Sequence, residues 1–179
     1  VTEDRYASQI KASLSRDAQR QVSIEIDRDN ESHPLQLVEK AVKKVKNAKK
    51  AGNPYSDVWI FFDNDNCNKI KDVFKIIKRD NFKFAYSSIC IEHWFLLHFE
   101  DCGRAFLSAA EAKTYLVNRH WPQYHKTQIN HYKHLEGNLQ VAIQRARNIR
   151  KRADDEEDNY EVANPYFTVD KLIEMLINL

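Results

Sequence analysis

The sequence predicts an α/β protein: a mostly parallel sheet with flanking helices, followed by a helical C-terminal half. Three observations predict it. Two apolar runs, DVWIFFD (57–63) and FKFAYS (82–87), read as strands, the first with the near-continuous apolar character of a strand covered on both faces. A helix-period pattern lies between them, the order expected of parallel strands with covering helices. Beyond residue 90 the chain reads as nearly all helix.

The elements follow in order. Thr2 opens a helix to about residue 15, with Glu3 and Asp4 in the first turn, where the helix dipole favours carboxylates. QVSIEID (21–27) alternates apolar and polar residues and predicts a strand. Pro34 starts a helix with Leu35, Leu37, Val38, Ala41, Val42 and Val45 on one face, ending near Gly52. After the strand at 57–63 comes a helix over roughly 68–79, with Ile70, Val73, Phe74, Ile76 and Ile77 inward, and then the strand at 82–87. Further helices are expected at about 90–99, 108–118, 131–152 and 168–178. DDEEDN (154–159) reads as an acidic, solvated loop, and no internal repeat is visible. The expected organisation is one domain over 1–179, a sheet core at 1–99 carrying a helical extension at 100–179. Three strands make a thin sheet, and the only methionine is Met175, so a further strand is expected upstream of Val1.

Composition narrows the function classes. The 179 residues are 42% hydrophobic, enough for a sizeable core, and 30% charged with a net charge of only +2. No global basic field announces a nucleic-acid binder. No apolar stretch approaches membrane-spanning length, and no secretory signal is visible. Cys67, Cys90 and Cys102 are an odd number without a CxxC pair, which argues against a disulfide framework and for a reducing, cytoplasmic setting.

The chemistry concentrates at two places. FFDNDNC (61–67) ends a strand with Asp63 and Asp65. In an extended chain these carboxylates project to one side, roughly 7 Å apart at their Cα atoms. Ligands of open α/β sheets bind at the carboxyl ends of strands, and Mg²⁺ takes one or two carboxylates plus substrate phosphate. The plain alternative is a strand end followed by a helix cap. An EF-hand does not fit, because Asn68 and Phe74 stand where glycine and glutamate are needed. A haloacid-dehalogenase-like phosphatase, with Asp63 as nucleophile and Asp65 as acid, is weakened by Cys67. CIEHWFLLHFE (90–100) places Glu92 and His93 at the start of an aromatic-rich helix, again after a strand. Glu92 is positioned to join the aspartates in an acidic cluster, or simply to favour the helix dipole. Arg145, Arg147, Arg150, Lys151 and Arg152 crowd the end of the long helix as candidate phosphate contacts, or complement that helix's own dipole.

DVWIFFDND, AYSSICIEHWFLLHFE, AIQRAR and NPYFTVDKLIEML, in that order after the opening TEDRY, resemble the RloB-like family, a Toprim-related group of anti-phage proteins. The resemblance covers nearly the whole chain. It implies a Toprim-like sheet and a nuclease dependent on Mg²⁺ or Mn²⁺. It also implies a role as effector of abortive infection beside an ABC-type ATPase partner, with DNA, RNA or tRNA left open as substrate. By resemblance Asp63 and Asp65 are the DxD metal pair, Glu92 is the glutamate of the family's tryptophan-containing stretch, and Thr2 and Glu3 end a turn. The Toprim catalytic glutamate belongs to an EG just before that turn and has no counterpart here. Ser88-Ile89 replaces the Asn-Pro common in the family, and Ile91 replaces phenylalanine. Glu3 and His93 are further candidates for the site. A phosphatase and a non-catalytic, partner-binding domain remain the competing readings.

Overall fold

Alternation builds the sheet. Ile60 and Phe62 join one hydrophobic cluster while Trp59 and Phe61 pack against another, the period of two that an extended chain imposes. Phe84 and Tyr86 repeat the first face and Ala85 the second. The computed structural model describes residues 2–27, 33–64, 66–127, 129–155 and 163–179. Helices α1 (Thr2–Ser13), α2 (Arg16–Gln21) and α3 (Pro34–Lys50) precede β1 (Trp59–Asp63), and α4 (Ile70–Arg79) leads to β2 (Lys83–Ser87). Then come α5 (Ile91–Leu96), α6 (Ala109–Arg119), α7 (His131–Leu135), α8 (Leu139–Asp155) and α9 (Val169–Ile177). The fold is mixed α/β and mostly helical. Its sheet, among the described residues, has two parallel strands, paired from Trp59 opposite Lys83 to Asp63 opposite Ser87.

The two strand faces are covered by different helices. Val38 and Val42 of α3 and Val73, Phe74 and Ile77 of α4 pack on the Ile60–Phe62–Tyr86 face. There Phe62 lies 5.2 Å from Tyr86 and 5.7 Å from Phe74 between ring centroids. The other face meets Tyr6 of α1 and the C-terminal half, through Trp94, Phe95, Leu139, Ile143, Phe167 and Ile173. The chain just before α9 also acts as a partner of β2. Ser87 and Phe167 form an antiparallel bridge. The Thr168 amide donates to the Tyr86 carbonyl (2.8 Å), and the Thr168 Oγ1 accepts from the Tyr86 amide (3.0 Å).

Two expected elements change. Residues 22–27 form no strand, because no neighbouring backbone pairs with them among the described residues, and Ile24 and Ile26 are only half-buried. Side chains hold the segment instead: Lys11 donates to the Ile24 carbonyl, and Lys44 pairs with Glu25 (2.6 Å) and Asp27 (3.1 Å). The expected long helix from 131 is interrupted by a 3-10 turn at Glu136–Asn138, where glycine and asparagine are poor helix formers. Of the expected acidic loop, Asp154 and Asp155 are the last residues of α8, and 156–159 lie outside the described residues. No helix among the described residues is long and apolar enough to cross a membrane.

Candidate active site at the carboxyl edge of the sheet

Both strands end at the same edge, so Asp63 lies beside Ser87. The chain leaving β1 turns at once. The Asn64 amide donates to the Ser87 carbonyl (3.3 Å), the Asn64 side-chain oxygen accepts from the Cys67 amide (3.1 Å), and Asn66 takes a positive φ of 57°. Asp65 lies outside the described residues. The chain leaving β2 is more constrained. The Ser87 hydroxyl donates to the Cys90 carbonyl (2.6 Å), and Ser88 bonds Tyr166 through both its amide and its hydroxyl. Between them Ile89 has φ +77°, a left-handed conformation that a β-branched residue adopts at a cost of roughly 1–3 kcal/mol. This forced corner sets α5, and with it Glu92, directly after the strand end.

Every residue of α5 is buried, Glu92 included, at 1% exposure. A buried carboxylate needs partners, and Glu92 has two. The Tyr124 hydroxyl donates to Glu92 Oε1 (2.8 Å), and the Lys126 ammonium lies 3.5 Å from the same oxygen. Lys126 is 51% exposed, so the pair spans from the core to the surface. Its loop is tied to α1, where Arg5 donates to the Thr127 carbonyl (2.6 Å) and Gln9 to the Ile129 carbonyl (3.2 Å). Burial, then the charge of Glu92, pushes the Tyr124 hydroxyl well above the ordinary tyrosine range, with Glu3 adding a little. Burial, then Glu92, and more weakly Asp63, does the same to the Cys90 thiol. Burial pulls Lys126 down, but Glu92 and Glu3 outweigh it and leave the ammonium pKa raised. Asp63 and Glu92 thus share Cys90 as a neighbour, and Glu92 and Glu3 share Tyr124 and Lys126.

The other predicted residues separate. His93 points into the core: it is 0% exposed, its Nε2 lies 3.1 Å from the Cys102 carbonyl, and its ring meets Phe106 and Phe167 edge-on. Burial lowers its pKa to about 4, so it is a neutral core histidine rather than a site residue. The basic cluster is also corrected in part. Arg145 donates to the Leu97 carbonyl (2.6 Å), Arg147 pairs with Glu174, and Arg150 grips buried Asp170 with two bonds of 2.8 Å. These arginines fasten α8 to its neighbours, and only Lys151 and Arg152 stay exposed without an ion pair among the described residues.

Among the described residues no three His, Cys, Asp or Glu side chains form a group able to hold a metal ion. Mg²⁺ keeps several waters and is bound through one or two carboxylates plus phosphate, so a strand-end aspartate suits it without a protein cage. Asp63 fits that role. Glu92 fits it poorly, because its Oε1 already faces a phenol and an ammonium.

The family model of the RloB-like protein matches residues 1–176. The chain belongs to the RloB-like family. No curated protein and no solved structure shows a match. In this RloB-like chain the residues that sequence reading missed are Tyr124 and Lys126. They lie 32 and 34 positions beyond Glu92, in a loop without periodicity, and no local signal marks them.

Proposed function

We propose that this RloB-like chain is a metal-dependent nuclease of Toprim-like architecture that cleaves phosphodiester bonds as an effector of anti-phage defence. The observation that carries the reading is Asp63 at the carboxyl end of a parallel strand, with Glu92 opening the helix after the neighbouring strand. In this reading Asp63 and Asp65 hold Mg²⁺ or Mn²⁺, which when bound neutralises charge building on the scissile phosphate. Lys126, half-exposed beside the carboxyl edge, presents its remaining N–H donors to a phosphate oxygen. Glu92 and Tyr124 position that ammonium, and the ties from Arg5 and Gln9 keep its loop in place. Water is the nucleophile, which gives hydrolysis. A cytoplasmic setting and an ABC-type ATPase partner accompany this reading.

The test is cleavage of plasmid DNA and of total tRNA by the full-length protein with its ATPase partner, with and without EDTA. We expect cleavage that needs the metal and falls at least about 10²-fold in Asp63→Asn, as loss of transition-state charge stabilisation predicts. Equal nucleolysis by wild type and Asp63→Asn overturns the reading. The competing reading is a non-catalytic partner-binding domain. Absence of cleavage together with stable capture of the ATPase by wild type and Asp63→Asn alike supports that alternative.

A further inference from the structure

Positive charge is concentrated on one side of the molecule. Residues 34–50 and 69–79 hold 11 of the 28 lysines and arginines but only 2 of the 26 acidic residues, although the whole chain is +2. These segments are α3 and α4 with its Lys69 cap, neighbours on one sheet face. Their apolar residues turn inward, which leaves Lys43, Lys46 and Lys50 as an exposed stripe on α3 and Lys71, Lys75 and Lys78 as another on α4. Only Lys75 of these six makes an ion pair among the described residues, an exposed one with Asp72.

The stripes are aligned with the candidate active edge. The α4 helix joins two parallel strands, so it starts at the Asp63 edge and runs back along the sheet. The α3 helix starts there too, because His33 before its first turn has Nε2 3.9 Å from the Cys67 sulfur. Packed neighbouring helices lie roughly 8–10 Å apart, so two near-parallel lysine rows lead away from Asp63.

We infer that the outer face of α3 and α4 is the surface that binds the phosphate backbone of a nucleic acid. The absence of apolar anchors decides against other polyanions. None of the exposed large hydrophobic residues of the described chain, Val22, Tyr55, Leu107, Val141 and Leu179, belongs to α3 or α4. Protein interfaces are anchored by buried aromatic and apolar residues, and membrane-surface helices insert an apolar face, which here is spent on the core. Exposed, well-hydrated lysines that release counterions are what a regular row of phosphates requires. The inference deepens the phosphodiester reading and takes the substrate class from it.

The experiment measures binding in EDTA, where no cleavage occurs. Fluorescence anisotropy with a labelled duplex and a labelled single strand follows affinity between about 50 and 200 mM salt. Replacing Lys43, Lys46 and Lys50 together by glutamate is expected to weaken binding at least tenfold and to reduce the salt slope by about 2–3. Gln at the same positions gives an intermediate loss, and thermal melts confirm that both variants fold. Unchanged affinity and slope overturn the inference, as does a larger effect from Lys151→Glu with Arg152→Glu. Polyglutamate bound as tightly as the duplex also overturns it, because the face would then select charge alone. Asp63→Asn is expected to bind with the wild-type slope. Normal cleavage by Asp63→Asn therefore sinks only the metal reading, and unaltered binding by the lysine variants sinks only this surface.

Discussion

Glu92 shows how one carboxylate can be read correctly in place and differently in role. Its position after the strand is legible from the sequence, because an apolar run, a short link and a helix start are local signals. Its partners are not, since Tyr124 and Lys126 arrive from a loop on the far side of α6. His93 was visible as polar but not as buried, because α5 is covered on every side and leaves no polar face. Glu92→Gln keeps the acceptor for Tyr124 and removes the charge facing Lys126. Under the proposed nuclease reading we expect a folded protein whose cleavage rate falls roughly 10–100-fold, in the range of a misplaced catalytic group. Lys126→Ala leaves the carboxylate buried with a phenol alone and costs about 1–2 kcal/mol in urea denaturation. Wild-type turnover by Glu92→Gln removes Glu92 and Lys126 from the mechanism.

At the scale of elements, periodicity located nearly every helix and both strands, because amphipathic faces are written locally. It failed where alternation had no neighbour to pair with, at 22–27, and where Gly137 broke a pattern that continues on both sides. The basic end of α8 misled for another reason: an arginine that reaches a partner on another helix looks the same in sequence as one that reaches solvent. Arg150 and Asp170 are 13% and 0% exposed, and Arg150 also donates to the Phe167 carbonyl (2.5 Å). Arg150→Met strands a buried carboxylate and is expected to cost about 3–5 kcal/mol in urea denaturation. Pairing it with Asp170→Leu should recover most of that loss. A single variant that loses less than about 1 kcal/mol shows that the pair does not fasten the helices.

At the scale of the whole molecule, acid should unfold it through its core histidines. Burial lowers the pKa of both His93 and His98 to about 4 from the ordinary 6.5. The unfolded chain therefore takes up protons first as the pH falls. The stability is complete above about pH 6.5 and declines down to about pH 4, by about 3 kcal/mol per histidine at the limit. Burial lowers the pKa of the buried His131 as well, so urea midpoints across that range report all three rings, and His98→Leu should flatten the decline because it removes one of them. A midpoint that stays constant from pH 7 to pH 4 would show that these rings accept protons without leaving the core. The join between Thr168 and β2 reaches further, to the order in which the protein is made. Tyr86 finds this backbone partner 82 residues later in the chain. On the ribosome both strands emerge long before Phe167 and Thr168, and the edge of β2 stays open until that segment is synthesised. A chain terminated before Phe167 has no finished sheet beneath Asp63, so an interrupted message yields material for proteolysis and not a shortened, folded protein.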